Sequence, residues 1–285
     1  MKEFRIPASE GVMLSAQSDG HPDQPSVILL HGGGQTRHAW GRAFRQLVDA
    51  GYHVLSYDAR GHGQSDWSPS GDYRTDALVA DLKAVIATLG SPPALVGASM
   101  GGITSLVAIG ESPTDLARAM VLVDVGPKIE RKGVEHIRNF MRANPDGFAT
   151  LDEVADAVAA YNPSRPRPKD PSGLMKNLRR GDDGRLYWHW DPRLIAETTE
   201  EHVAYLEAFE ERMAGAARGV HIPALMVRGA HSDVLSETGV QVFRELIPHA
   251  EVADIAGAGH MVAGDRNDAF NDAVIDFLRR VDSAR

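Results

Sequence analysis

A serine between two glycines, at the end of an apolar strand, is the first feature of the sequence that could do chemistry. The pattern is Gly97-Ala98-Ser99-Met100-Gly101, and a predicted helix begins there. In such a G-x-S-x-G turn, side chains two positions before and after the serine would collide, which explains the two glycines. The turn raises the Ser99 hydroxyl above the sheet and aims the Met100 N–H at a nearby negative oxygen. The pattern predicts a nucleophile at Ser99.

A run of glycines after another apolar strand could supply a second backbone donor. The predicted strand Val27-Ile28-Leu29-Leu30 ends in His31-Gly32-Gly33-Gly34. Glycines let backbone N–H groups approach a ligand without interference from side chains. We expect the Gly33 N–H to pair with that of Met100 and hold an oxyanion. Removing one donor from such a hole typically costs about a hundredfold to a thousandfold in rate.

A serine hydroxyl is a poor nucleophile at neutral pH, so it needs a base and a group that orients the base. His260 is the expected base, in a tight loop between the last strand and the last helix, and His231 is its rival. Asp233, which follows a buried strand, is the expected acid, and Asp124 at the end of an earlier strand is the alternative. The preferred set is therefore Ser99, Asp233 and His260.

The elements that must position these residues alternate along the chain. Short apolar runs at residues 27–30, 53–57, 94–97 and 120–123 are separated by stretches with helical spacing. Such alternation favours parallel strands with helices on both faces, preceded here by a short antiparallel start. Residues 128–218 break the rhythm: the segment contains no convincing strand and is interpreted as a helical insertion. The alternation resumes at residue 224.

Composition excludes several classes of protein. The chain has 285 residues, no cysteine and a formal net charge of −9. Disulfides, thiolate metal sites and cysteine nucleophiles are therefore excluded, and nucleic acid is not an expected partner because an acidic surface repels phosphate. The first residues carry no apolar signal core, and no apolar run is long enough to span a bilayer. We expect a cytoplasmic protein that does not bind membranes, metal ions or cofactors.

Together these motifs resemble those of the α/β-hydrolase superfamily, specifically its capped serine-hydrolase branch. Five segments carry the resemblance, in the family's order: residues 31–34, 58–65, 97–101, 229–233 and 257–260. It implies an α/β-hydrolase fold, with an eight-stranded, mostly parallel sheet flanked by helices and a helical lid inserted after the sixth strand. The core would comprise residues 1–127 and 219–285 and the lid residues 128–218. In that family the turn at 60–65 usually braces the site, and we interpret it so here.

The lid holds the densest aromatic cluster of the sequence, residues 187–191 (YWHWD). If it faces the cleft, Trp188 and Trp190 offer apolar area for an aromatic or medium acyl group. Packing of these rings onto the core is the alternative. Met261 and Val262 follow the predicted base and should make the near pocket apolar.

The leading hypothesis is a serine hydrolase of a small or medium carboxylic ester or lactone, acting through an acyl-enzyme. A second hypothesis is a carbon–carbon bond hydrolase of a vinylogous diketone, with cationic lid groups to hold a carboxylate. The candidates for that role are Arg165, Arg179, Arg180 and Arg185. A third is a non-catalytic small-molecule receptor on the same fold. Each of the three hypotheses implies a small-molecule ligand as partner. Whether the chain forms a homo-oligomer is left open by the sequence.

Overall fold

Strands and helices alternate over most of the chain, as the sequence predicts. A computed structural model describes residues 1–163, 166–195, 200–260 and 267–284, without the side chains of residues 200–207 and 267. The strands are β1 (Lys2–Pro7), β2 (Met13–Asp19), β3 (Ser26–Leu30), β4 (His53–Tyr57), β5 (Ala94–Ala98), β6 (Ala119–Val123), β7 (Leu178–Arg180), β8 (Leu186–Trp188), β9 (Ala224–Gly229) and β10 (Glu251–Ile255). The α-helices are α1 (Gly41–Asp49), α2 (Thr75–Ile86), α3 (Met100–Gly110), α4 (Arg131–Arg142), α5 (Leu151–Tyr161), α6 (Glu200–Arg218), α7 (Glu237–Leu246) and α8 (Asn267–Ser283). Short 3₁₀ turns lie at Ser9–Gly11, Arg37–Trp40, Pro171–Asn177 and Pro192–Ile195.

Eight of these strands form one twisted sheet in the order β1-β2-β4-β3-β5-β6-β9-β10. Strand β2 runs antiparallel to β1 and β4, and the other neighbouring strands pair in parallel. The predicted eight-stranded, mostly parallel α/β-hydrolase sheet is therefore confirmed. The register aligns Leu30 with Gly97 and Ala98 with Val123, so the turns after β3, β5 and β6 leave the same edge of the sheet.

Apolar side chains on the two faces of the sheet build two separate layers of the core. Ile28 and Leu30 point to the layer formed with α2, α3, α6 and α7, whereas Val27 and Leu29 point to the layer formed with α1 and α8. Because side chains alternate along a strand and both faces are buried, the strand reads as a continuous apolar run. This burial explains why the parallel strands were evident from the sequence.

The segment between β6 and β9 holds the predicted helical lid, which follows the sixth strand as expected. It contains α4, α5 and α6, and also the short antiparallel pair β7 and β8, which corrects the expectation of an insertion without strands. The pair has only three residues in each strand, too few for a visible period-two pattern. Lid residues form their own apolar cluster around Met141, Phe148, Trp188 and Trp190. The exact domain boundaries stay a prediction. No helix among the described residues is long and apolar enough to cross a membrane.

Candidate active site

Ser99 occupies a strained turn between β5 and α3. Its φ is 45° and its ψ is −114°, in a region that non-glycine residues rarely adopt. Such a conformation costs on the order of 1–3 kcal/mol and persists only where the surroundings impose it. Here the Ser99 N–H donates to the carbonyl of Val123 on β6, and its carbonyl accepts the N–H of Ile103 in α3. The sheet and the helix together hold the serine in this conformation.

The two flanking glycines are required for the steric reason predicted from the sequence. A Cβ at Gly97 would lie 2.5 Å from the carbonyl oxygen of Gly101, and one at Gly101 would lie 2.4 Å from that of Leu30. Both contacts are with backbone, which cannot move aside. The turn therefore closes only with glycine at these positions, and Ser99 stays half-buried between them.

The histidine predicted as base is paired with a different aspartate from the one expected. Nδ1 of His260 lies 2.7 Å from Oδ2 of Asp124, which follows β6 directly. Asp124 is fully buried, whereas Asp233 is exposed to solvent. The preference for Asp233 over Asp124 is therefore wrong as regards the partner of His260. The rival base His231 is also exposed and uses its backbone N–H to bind the carbonyl of Ala258.

Asp233 lies where the loop after β9 contacts the lid. A Cβ at Gly133 in α4 would lie 2.4 Å from the carbonyl oxygen of Asp233, so this loop packs directly on that helix. Burial raises the pKa of Tyr161 in α5 to about 12, and the nearby Asp233 carboxylate acts in the same direction. The residue thus belongs to the contact between the β9 loop and the lid.

The Asp124 carboxylate is fixed by donors from the loop that had been expected to supply the acid. Oδ1 accepts the N–H of Gly229 at 3.0 Å, and Oδ2 accepts the hydroxyl of Ser232 as well as contacting His260. Asp124 itself has a φ of 51°, a conformation that aspartate tolerates better than most residues. The segment at 229–233 therefore does serve the site, but through Gly229 and Ser232. A polar residue directly after β6, beside the strand that carries Ser99, was the signal available for Asp124.

The loop that carries His260 is attached to the end of β9. The N–H of Ala230 donates to Ile255, and the N–H of His231 donates to Ala258. A Cβ at Gly229 would lie 2.2 Å from the carbonyl oxygen of Gly259, so the two loops are in direct backbone contact. This contact sets the position of His260 relative to Asp124. Met261 and Val262, predicted to line the pocket, lie outside the described residues.

The glycine loop after β3 lies beside the serine. A Cβ at Gly32 would lie 3.4 Å from the Cβ of Ser99. The N–H of Gly32 donates to Oε1 of Gln35, and that of Gly34 donates to Nε2 of His62. Among the amides of these three glycines, that of Gly33 has no acceptor within the described part of the chain. Its position favours the predicted oxyanion role for Gly33, as the position of the Met100 N–H at the start of α3 does for Met100.

Other predicted ligand-binding residues take up different places in the structure. Trp188 and Trp190 stack with ring centroids 5.0 Å apart inside the apolar cluster of the lid, so substrate contact by either ring stays a prediction. Arg179 lies over the rings of Trp67 and Tyr187, with centroid distances of 5.1 and 5.0 Å. The cations suggested for a carboxylate are otherwise engaged: Arg180 with a lid carbonyl and Arg185 with two. Arg165 is outside the described residues.

The family follows from comparison of the whole chain with known proteins. A family model described as alpha/beta hydrolase fold matches residues 25–266, a span that includes the Ser99 turn, Asp124 and His260. The chain belongs to the α/β-hydrolase family. The names of its relatives support the conclusion that it is an enzyme that catalyses hydrolysis.

Two curated relatives illustrate the range of this family. The hydrolase is 28% identical over 271 residues to mouse sn-1-specific diacylglycerol lipase ABHD11, covering 91% of this chain and 83% of the lipase. It is 30% identical over 258 residues to the 3-hydroxybutyrate-oligomer hydrolase of Cupriavidus necator, covering 85% and 84%. Among solved structures, E-2-(acetamidomethylene)succinate hydrolase superposes with a TM-score of 0.84 at 24% identity, covering 98% and 99% of the two chains. That likeness shows the fold alone.

Proposed function

We propose that this hydrolase cleaves a small or medium carboxylic ester, or a lactone, with Ser99 as nucleophile. The single observation that carries the proposal is the His260–Asp124 pair, held at 2.7 Å directly after the strand that binds the Ser99 backbone. A serine on a strained turn, an imidazole with a buried carboxylate on one ring nitrogen, and backbone amides next to the serine are what acyl transfer needs. Both curated relatives described above are named for substrates that contain ester bonds.

The proposed reaction begins with proton transfer from the Ser99 hydroxyl to Nε2 of His260 as the oxygen attacks the substrate carbonyl. Asp124, at Nδ1, orients the ring and stabilises its positively charged form. The N–H groups of Gly33 and Met100 hold the oxyanion of the tetrahedral intermediate. His260 then protonates the leaving alcohol, and a water molecule repeats the sequence to release the acid and restore Ser99.

The side chains next to the oxyanion loop favour an apolar acyl group. The sulfur of Met141, from α4 of the lid, lies 3.3 Å from the position a Cβ would take at Gly34. Met100 lies beside the proposed nucleophile and is half-buried. Thioethers are flexible and apolar, so they adapt to acyl groups of different shape. Cleavage of a carbon–carbon bond, the alternative from the sequence, is less favoured because Arg179, Arg180 and Arg185 already have partners.

The test combines covalent labelling with turnover. A fluorophosphonate probe should label the wild-type enzyme at Ser99 and should not label the Ser99→Ala variant. The wild type should hydrolyse p-nitrophenyl esters of short and medium acids, and Ser99→Ala should lose at least about a thousandfold in kcat. A wild type that is unreactive toward the probe, or a variant that reacts equally well, would falsify the assignment. Turnover of a ring-cleavage diketone without ester turnover would instead favour the carbon–carbon hydrolase.

A further inference from the structure

Three buried histidines surround the glycine loop that carries the proposed oxyanion donor. The ring centroids of His31 and His62 are 5.1 Å apart, and those of His62 and His189 are 5.9 Å apart. All three side chains are 3% exposed or less. His31 precedes the loop and His62 belongs to the turn after β4, whereas His189 comes from the lid. None of them takes part in the proposed proton transfers.

Two of these rings hold the peptide unit that contains the Gly33 N–H and the unit that follows it. Nδ1 of His31 donates to the carbonyl of Gly32 at 2.8 Å, and this carbonyl belongs to the same planar peptide unit as the Gly33 N–H. Nε2 of His62 accepts the N–H of Gly34 at 3.1 Å, which fixes the following unit. Because C=O and N–H point in opposite directions across a trans peptide, fixing the Gly32 carbonyl also fixes the direction of the Gly33 N–H.

His189 holds the third unit in succession. Its Nε2 faces the carbonyl of Gly34 at 3.3 Å, while its Nδ1 accepts the N–H of Gly63 at 2.7 Å. The Gly34 carbonyl shares its plane with the N–H of Gln35, and that N–H donates to the Gly32 carbonyl at 3.1 Å. A rotation of this plane would therefore be passed to the unit that carries the Gly33 N–H.

The hydrogen bonds define the protonation state of each ring. Every ring has one nitrogen facing a backbone N–H, from which it must accept, and one facing a carbonyl, to which it must donate. Only the neutral imidazole can do both. His31 and His62 must therefore carry the proton on Nδ1, and His189 must carry it on Nε2.

The lid brings His189 to this position through its neighbour in sequence. The N–H of Asp191 donates to the carbonyl of Gly61, and the Asp191 carboxylate accepts the hydroxyl of Tyr73 and the guanidinium of Arg193. The bonds from Asp191 to Gly61 and Tyr73, with one from Arg193 to the carbonyl of Ser68, attach the lid to the segment between β4 and α2 without touching the glycine loop. His189 is thus the described lid side chain that hydrogen-bonds the loop itself.

We propose that His189 is a positioning residue, through which the seated lid fixes the direction of the Gly33 N–H in the oxyanion hole. The inference rests on the proposed function, because it concerns the hole that this function requires. It assigns a different role to each ring nitrogen. The Nε2–H donated to the Gly34 carbonyl supports kcat, and the Nδ1 acceptor supports attachment of the lid.

Two substitutions separate the two atoms. His189→Gln places an amide donor where Nε2 lies and loses the acceptor for Gly63, whereas His189→Asn keeps an acceptor at the Nδ1 position and loses the donor. We expect His189→Asn to lower kcat for a p-nitrophenyl ester by about 10- to 100-fold with KM within about threefold, since a hole donor is misdirected and not deleted. His189→Gln should recover kcat to within about fivefold of the wild type. Equal losses, or a better enzyme with Asn, would overturn the inference.

Tyr73→Phe is the matched control. It removes the hydroxyl that donates to Asp191 of the lid and accepts the N–H of Ser68 in the core, and it leaves the glycine loop untouched. It should keep kcat within about twofold of the wild type; a loss as large as that of His189→Asn would show that lid attachment alone accounts for the effect. Affinity for a trifluoromethyl ketone, whose adduct places an oxyanion in the hole, should weaken in His189→Asn in proportion to kcat/KM. Absence of Ser99-dependent turnover in the wild type would refute the proposed function, a result distinct from normal turnover in His189→Asn.

A measurement on the wild type alone covers the case in which the variants do not fold. Long-range ¹H–¹⁵N correlation spectra of histidine-labelled protein distinguish the two neutral tautomers. At pH 7.5 the spectrum should show neutral rings for this cluster, with two Nδ1–H tautomers and one Nε2–H tautomer, the last assigned to His189. A charged ring or an Nδ1–H tautomer at His189 would contradict the proposal.

Discussion

The molecule places histidines in two different environments. His260 has a carboxylate as its partner and keeps 14% of its side chain exposed. The cluster of His31, His62 and His189 is buried and binds backbone groups, with one N–H and one carbonyl for each ring. Both environments fix a ring, but a carboxylate stabilises the charged form, whereas a backbone N–H aimed at a ring nitrogen requires the neutral form.

The difference between the two environments matches the roles proposed for His260 and for the buried cluster. A general base must gain and release a proton in every cycle, so a partner that stabilises the imidazolium favours the reaction. A ring that orients a backbone loop must keep its hydrogen bonds unchanged through the cycle. Burial accordingly lowers the pKa of His31, His62 and His189 and keeps these rings neutral near neutral pH. The comparison predicts that removing the Asp124 carboxylate lowers kcat. It also predicts that acid lowers the stability of the protein through the histidine cluster.

The largest effect is expected from the carboxylate. Asp124→Asn keeps the shape of the side chain but removes the charge that stabilises protonated His260. Its NH₂ group replaces either the oxygen that accepts from Gly229 or the one that faces Ser232 and His260. We expect kcat to fall by about 10³- to 10⁴-fold. Asp233→Asn is the matched control: its side chain is exposed, and kcat should stay within about twofold of the wild type. The opposite ranking of the two variants would restore Asp233 as the acid.

How much of this site the sequence predicted depends on whether the signal was local. The Ser99 turn, the Gly33 loop and the strands were predictable because a strand-to-helix bend requires particular glycines and a buried strand requires an apolar run. The choice between Asp124 and Asp233 was not local. Both follow buried strands, and only the packing of the 229–233 loop against the His260 loop decides which carboxylate is enclosed.

The lid shows the same limit in another form. His189 lies within a stretch of aromatic residues that suggested a substrate pocket, yet its ring contacts a loop 155 positions earlier in the chain. No periodicity encodes such a contact. The strands β7 and β8 were missed because three residues are too few for an alternating pattern to be recognised.

Acid should destabilise the protein through the buried cluster before it titrates most carboxylates. Burial lowers the pKa of His189 from 6.5 to about 4; the nearby His31 acts in the same direction, and the charge of Asp58 partly opposes the shift. Between these two values the unfolded chain binds a proton that the folded protein excludes, so the free energy of unfolding falls as the pH drops from about 6.5 to about 4. His189 alone accounts for about 3 kcal/mol, and His31 and His62 act in the same direction.

Urea unfolding at pH 7.5, 6 and 5 measures this effect, with His189→Gln as the matched variant. Glutamine does not titrate, so the variant should become more stable relative to the wild type as the pH falls. A difference that stays constant over this range would mean that the His189 ring accepts a proton in the folded protein, and the contrast with His260 would no longer hold.

The smallest effect should come from the hydroxyl that supports the carboxylate. Ser232 donates to Asp124 and accepts the N–H groups of Val234 and Leu235, each at 3.1 Å. Ser232→Ala removes one donor from Asp124 while leaving those of Gly229 and His260, so kcat should fall about tenfold, the size expected for one hydrogen bond to a charged group. Ser236→Ala is the control, because that hydroxyl accepts the N–H of Gly239 at the start of α7 and touches no catalytic group. Each variant should lose about 1 kcal/mol of stability, but only Ser232→Ala should lose activity; an equal loss of kcat in both would mean that the loop, and not the hydrogen bond to Asp124, limits the rate.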